Sequence, residues 1–244
     1  MTVEEFNTDK GLYIFEFDDF DTAFHSHPTV EIIIAKKGTF ILWTDAEKYE
    51  NLEFAIIAAN EKHKLSSSDC ELRVIMIEHH NRLVNDNLAF ANIDLKNGCH
   101  VQKKLNKEQG VIDQILQLIK GEKCATEYDD RISAAIDYLN NNDLEYGLMM
   151  KTLQSVTSLS ESRLSHLFKS NIGISLKKYL IWTKLKSTIK QHVSNQQNDL
   201  FSSLINSGFY DQPHFSRNFK AMLGVKPSTA YNSRNLQVLP FMTS

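Results

Sequence analysis

Cysteine, proline, tryptophan and glycine are all scarce: 3, 4, 2 and 9 residues among 244. Cys70, Cys99 and Cys124 form neither a CxxC pair nor an even framework. A disulfide scaffold is therefore excluded, and a reduced compartment is expected. So little glycine and proline excludes a collagenous or low-complexity chain. No apolar run approaches the ~20 residues that span a bilayer. Nor does a basic stretch with an apolar core follow Met1, so no leader and no membrane partner are expected. An excess of one sign of charge is missing too, since the net charge is −3. That near-neutrality is an average. Residues 1–129 carry 14 Lys+Arg against 23 Asp+Glu, a balance of −9, and residues 130–244 carry 13 against 7, a balance of +6. An acidic half joined to a basic half suggests two jobs, one of them involving a polyanion.

The acidic half reads as short strands. Residues 12–17, 30–35, 39–43, 54–58 and 72–78 are rich in Ile, Val, Phe and Trp, and turn-forming clusters such as Lys36-Lys37-Gly38 and Ser66-Ser67-Ser68-Asp69 separate them. Such spacing predicts a small barrel or sandwich. Residues 81–108 carry no clear period. At 109–120 the period changes: Val111, Ile112, Ile115, Leu116 and Ile119 share one helix face. That face packs on the strands or on a second subunit, and the helix is expected to help form a homodimer. Residues 122–130 are polar and read as a linker between domains at 1–121 and 131–244.

From Arg131 onward the pattern is helical, with segments near 131–139, 145–156, 161–172 and 175–193, and two more that begin after Asp199 and Asp211. Ser160, Ser175, Asp199 and Asp211 are the expected N-caps, and Pro227 opens a short last helix. Within this half a segment repeats after 51 residues. Arg163-Leu164-Ser165-His166-Leu167-Phe168-Lys169, then Gly173, returns as His214-Phe215-Ser216-Arg217-Asn218-Phe219-Lys220, then Gly224. Each copy follows a short helix and a tight turn, the layout of a helix-turn-helix. Leu164, Leu167 and Phe168 share one face, as do Phe215 and Phe219. The opposite faces offer Ser162, Ser165 and His166 in the first copy, and Gln212, His214, Ser216 and Arg217 in the second. Such side chains reach base edges in a major groove. Arg163, Lys169, Lys177 and Lys220 suit phosphates. The helix between the copies, ~27 Å long at ~1.5 Å per residue, can hold them near the ~34 Å of one DNA turn. Tyr179 and Trp182 on it are read as core.

At Gly208-Phe209-Tyr210-Asp211-Gln212-Pro213-His214-Phe215-Ser216-Arg217-Asn218-Phe219-Lys220, followed by Gly224-Val225-Lys226-Pro227-Ser228, the sequence resembles the AraC/XylS family of bacterial transcription regulators. The resemblance covers about 130–234, and the N-terminal strands more weakly. It implies an α+β chain of two domains: a small cupin-like β-barrel with a helical appendage, then an all-α domain with two helix-turn-helix motifs joined by a long helix. It further implies a cytoplasmic regulator, mostly an activator, with double-stranded DNA and RNA polymerase as partners. The chain departs from the family pattern in places. Gln154 and Leu204 stand where a small Ala is usual, and Ser158 replaces the glycine of the first turn. The segment after Pro227 is longer than the usual ending, so no role is carried to Arg234.

One constellation lies outside that domain. His25-Ser26-His27, then Glu31, then Gly38, resembles the first cupin motif, and Asn60-Glu61-Lys62-His63 weakly resembles the second. In a strand His25 and His27 point to one side. With Glu31 and His63 they make three imidazoles and a carboxylate, a set that suits a first-row metal. The family resemblance implies instead a metal-free role, as a pocket for an unknown small effector or as structure, with no cofactor and no catalysis. The alternatives are a cupin-type metalloenzyme and a protein-interacting regulator with weakened DNA binding. His79 and His80 read as a strand end.

Overall fold

A computed structural model of the chain describes residues 2–78, 82–105, 108–121, 128–142, 146–194, 209, 211–231 and 237–238. It is a two-domain α+β protein. The strands are β1 (Thr2–Asn7), β2 (Leu12–Asp18), β3 (Thr29–Lys37), β4 (Phe40–Thr44), β5 (Lys48–Leu52), β6 (Phe54–Ile57), β7 (His63–Ser67), β8 (Glu71–Glu78), β9 (Cys99–Gln102) and β10 (Gln237–Val238). The helices are α1 (Arg82–Phe90), α2 (Glu108–Gly121), α3 (Asp130–Asn141), α4 (Tyr146–Thr157), α5 (Glu161–Ile172), α6 (Leu176–Ser194), α7 (Gln212–Leu223) and α8 (Pro227–Tyr231). No described helix is long and apolar enough to cross a membrane. His79, His80, Cys124, Asp199, Leu204, Gly208, Tyr210 and Arg234 lie outside the described residues, as do residues 122–127 of the expected linker.

The strands form two sheets, a large one ordered β10-β1-β2-β8-β3-β6-β9 and a small one ordered β5-β4-β7. β3 sits between β8 and β6, and it is buried on both faces from Thr29 to Ile34. Its run of Ile32-Ile33-Ile34 follows from that, because a strand covered on both sides needs no alternation. Val30, Ile32 and Ile34 join Leu12, Ile14, Phe54, Ile56, Ile75 and Ile77 in a core cluster on one face of the large sheet. Side chains alternate along a strand, so Glu31 belongs to the other face, opposite Met76 and Ile57 in register.

The stripe of α2 is spent inside this unit. Ile112, Ile115, Leu116 and Ile119 are buried in the cluster formed by the large sheet, together with Val84 and Leu88 of α1. The expectation that this stripe forms a homodimer face is corrected: burying it on the sheet removes the apolar area that a second subunit would have covered.

Four strands escape the sequence reading inside residues 2–102. β5 is polar and largely exposed, β7 and β9 are short, and β1 alternates weakly. The chain folds into two compact units, one of residues 1–125 with 219–244 and the other of residues 126–218. The boundary expected at 122–130 separates 131–244 as one body, whereas in the structure 219–244 belongs with the strands. The reasons are local. β10 adds to β1 in parallel, and Ala23 N–H donates to Gly224 O at 2.8 Å.

The second unit has its own core. Ile132, Ala135 and Leu139 of α3 pack with Met149, Met150 and Leu153 of α4, Leu164 and Phe168 of α5, and Leu176 and Tyr179 of α6. Tyr179 meets Phe168 edge-on, with ring centroids 5.2 Å apart. Trp182 is buried as well. α6 is 19 residues long, about 28 Å at ~1.5 Å per residue.

Because Ile115 is fully enclosed, Ile115→Ala should destabilise the protein by about 2–5 kcal/mol through lost transfer energy and a cavity. Urea unfolding followed by circular dichroism measures this. An unchanged midpoint would mean that the stripe is not part of the core.

Candidate nucleic-acid interface and a buried histidine cluster

The repeated segments adopt the same local solution at equivalent positions. Ser160 caps α5, with Arg163 N–H donating to its Oγ at 3.4 Å. Asp211, 51 residues on, caps α7, with His214 N–H donating to its Oδ1 at 2.6 Å. Leu164 and Phe215 are fully buried, and so are Phe168 and Phe219 one turn later. Each helix then ends on a left-handed glycine. Gly173 has φ of 81° and Gly224 of 72°, and their amides donate at 2.9 Å to the carbonyls of Lys169 and Lys220. Only glycine adopts that conformation without a Cβ penalty.

The outward faces are less alike. On α5, Ser162, Arg163, Ser165, His166 and Lys169 are all exposed, as is Lys177 at the start of α6. On α7, Gln212, Arg217 and Lys220 are exposed, whereas Ser216 is half-buried. His214 is turned inward. It is half-buried, its ring lies edge-on to Phe209 at 5.7 Å, and its Nδ1 is enclosed without a hydrogen bond. Of the residues expected to face bases, His214 alone is held by packing in this way.

The turn before α5 carries strain. Ser158, which stands where the family has glycine, takes a φ of 53°. A left-handed backbone costs an L-residue about 1–2 kcal/mol.

In the first unit, His25, His27, Glu31 and His63 converge as the sequence suggests, though by a different route. His25 and His27 are not in a continuous strand. His25 makes a single bridge with His63 in the connection between β2 and β3, and His27 follows in irregular backbone. Strand alternation therefore does not set their common direction. Glu31 comes from β3 of the large sheet and His63 from β7 of the small one. All four are buried, and one donor atom from each lies within 4.8 Å of the others. Glu31 Oε2 is 3.2 Å from His27 Nε2 and 2.8 Å from His63 Nε2. The latter distance is that of an ion pair, yet His63 Nε2 makes no hydrogen bond of acceptable direction.

The outer nitrogens are held as well. His25 Nδ1–H donates to Ala23 O and His63 Nδ1–H donates to Glu61 O, both at 2.9 Å, while His27 Nδ1 lies 2.6 Å from Thr29 Oγ1. Thr29 and the two carbonyls carry no sequence signal of this role, because it depends on where the backbone turns. Burial pushes the His25 imidazole down to about 3, and the neighbouring His63 and His27 add to the effect. Burial also lowers His27 against the pull of Glu31. For Glu31 burial acts upward, but His63 and His27 overcome it and hold the carboxyl well below its usual range. Burial pulls His63 down, and the Glu31 carboxylate more than offsets it, so His63 sits above the ordinary imidazole value. Glu31 and His63 thus favour each other's charged forms, while burial disfavours the charged forms of His25 and His27.

Comparison with known proteins accords with the repeat. Residues 153–233 match the family model described as "Helix-turn-helix domain". The chain is 33% identical over 102 residues to the "Arabinose operon regulatory protein" of Escherichia coli (strain K12), a match covering 41% of this chain and 34% of that protein. It is 26% identical over 199 residues to the "Probable transcriptional regulator LumQ" of Photobacterium leiognathi, covering 81% of this chain and 70% of that one. Residues 153–233 are thus similar to the helix-turn-helix domain of such regulators. The match spans about a third of the arabinose regulator's length. A likeness of fold extends to the strands. An apo ToxT variant from Vibrio cholerae superposes with a TM-score of 0.57 at 16% identity, covering 93% of this chain and 98% of that one. A second ToxT crystal form gives a TM-score of 0.54 at 15% identity, covering 90% and 96%.

Restoring glycine at the strained turn should help. Ser158 is exposed, so Ser158→Gly should stabilise the protein by about 1 kcal/mol, the relief of left-handed strain less the added freedom of the unfolded chain. A thermal melt of the two proteins tests this, and a lower melting temperature for the glycine variant would contradict it.

Proposed function

We propose that the chain is a sequence-specific DNA-binding regulator, an activator, that reads two successive major grooves with α5 and α7. The observation that carries this reading is the repeat. Two helices 51 residues apart share a cap, a buried face and a glycine stop, and each keeps polar and basic side chains outward. A single helix with a solvated face is commonplace. Two equivalent ones in a half of charge +6 form a pattern suited to repeated contact with a polyanion.

In this reading Gln212 and Arg217 contact base edges on the second helix, joined by Ser216. Ser162, Ser165 and His166 do so on the first. Arg163, Lys169, Lys177 and Lys220 hold phosphates and set the register. The strand-rich unit, cupin-like in its histidine pattern, receives an effector in the bacterial cytoplasm. RNA polymerase and a second copy of the chain are the protein partners, the latter through a surface other than the α2 stripe.

Base and phosphate contacts predict different signatures. Arg217→Ala should weaken the specific site by about 1–3 kcal/mol and relax its sequence preference. Lys220→Ala should weaken all sequences alike and reduce the slope of log K against log salt by about 0.9. Fluorescence anisotropy on a fragment selected from random DNA, and on a scrambled fragment, separates the two. Unchanged affinity of the Arg217 variant for the selected fragment would overturn the base-contact assignment.

A further inference from the structure

We propose that the connection between β2 and β3 is a positioning element for DNA recognition: its amides at Ala23 and Ser26 hold the end of α7, and this hold raises affinity for the specific site. The DNA part of the proposal rests on the reading of the chain as a DNA-binding regulator; the hold itself does not.

The connection behaves as an added edge strand of the small sheet. Thr22 N–H donates to Leu65 O at 3.0 Å, and Ser67 N–H donates to Phe20 O at 3.1 Å. His25 and His63 exchange backbone hydrogen bonds at 2.9 and 3.0 Å, and Leu65 N–H donates to Thr22 Oγ1 at 2.9 Å. Residues 20–25 are thus bound along β7 by one side of their backbone. A sheet edge leaves amides without partners on its other side, and a covering helix is one way to satisfy them. Here the cover is α7. Ala23 N–H donates to Gly224 O at 2.8 Å, and Ser26 N–H donates to Ala221 O at 3.3 Å. The need is mutual, because the carbonyls at a helix end lack partners within the helix.

The fit is close. A Cβ at residue 224 would lie 2.6 Å from Thr22 Cβ, 2.6 Å from His25 Nδ1 and 2.9 Å from Ala23 O. Glycine is therefore required there twice, by its left-handed backbone and by the approach of the connection. The end of α5, alike in its cap, buried face and glycine stop, differs here. Among the described residues, no backbone amide from outside that helix donates to the matching carbonyls of Ser170 and Gly173. Further on, the chain is held to the first compact unit again, where β10 lies beside β1 with Gln237 opposite Thr2.

The hold leaves the recognition side open. It engages backbone carbonyls, whereas Gln212, Arg217 and Lys220 stay exposed. It therefore restrains α7 without masking it. The helix is continuous from Gln212 to Leu223, although its residues 212–218 fall in the second compact unit and 219–223 in the first. A restraint on its last turn limits the motion of the whole helix, so less freedom is lost when that helix binds DNA.

Ala23→Pro removes one of the two donors from the connection and alters no residue of α7. In the full-length protein it should weaken binding to the selected DNA fragment by at least about fivefold, the lower end of usual coupling between sites. The slope of log K against log salt should stay as in the wild type, because no phosphate contact is lost. Gly224→Ala should weaken binding in the same direction from the helix side. By reciprocity, saturating DNA should slow hydrogen exchange at the Ala23 and Ser26 amides of the wild type by the factor that Ala23→Pro loses in affinity. Circular dichroism checks that the variants fold. If they do not, wild-type exchange with and without the fragment decides. Unchanged or raised affinity of a folded Ala23→Pro variant, or exchange at Ala23 and Ser26 that DNA does not slow, overturns the positioning role and leaves the regulator reading intact. Exchange at these amides as fast as in an unstructured chain overturns the hold itself. A wild type that selects no DNA from the pool overturns the regulator reading and the positioning role together, and slow exchange would then leave only the hold standing.

Discussion

A charged carboxylate buried on the central strand of the large sheet constrains the strand-rich unit. Glu31 lies in a run otherwise made of Val and Ile, with Ile57 and Met76 beside it in register. A buried charge is tolerated only when it is paired and hydrogen-bonded. Its partner is His63, at the start of β7 in the other sheet. The pair therefore links the two sheets at one point. His25 bridges to His63 through its backbone, and His27 is placed by Thr29 and Glu31. The loop between β2 and β3 follows from these contacts, and with it the seat for residues 221–224.

The helical half is governed by economy of a different kind. Its two equivalent helices start on a short polar cap, bury two side chains a turn apart and stop on a left-handed glycine. These three devices satisfy the free amides and carbonyls of a helix with the fewest residues. All remaining positions are left for recognition, so the outward faces can differ while the scaffold stays the same. His214 shows the limit of that freedom, since packing on Phe209 turns it away from the face it was expected to share with Arg217.

Elements governed by one local rule were legible in the sequence. Caps, glycine stops and the period of 3.6 placed α3 to α7 within a few residues, because hydrogen-bonding in a helix is local. The Ile- and Val-rich strands were equally plain. β5, with Lys48, Tyr49, Glu50 and Asn51, was not, because a strand that is mostly exposed carries no apolar signature. The stripe of α2 was legible, but its partner was not. Ile112 and Ile115 look the same in sequence whether a sheet or another subunit covers them.

The sequence by itself determined the types of its elements, the repeat and the four residues of the histidine cluster. Periodicity, capping and residue chemistry act over a few positions, and these features need nothing more. Tertiary structure alone decided which face covers α2, that His25 and His27 converge without a strand, and that Gly224 meets the loop carrying His25. Each is a contact between segments far apart in the chain. Such contacts are selected by the packing of the whole unit, which no local pattern of residues encodes.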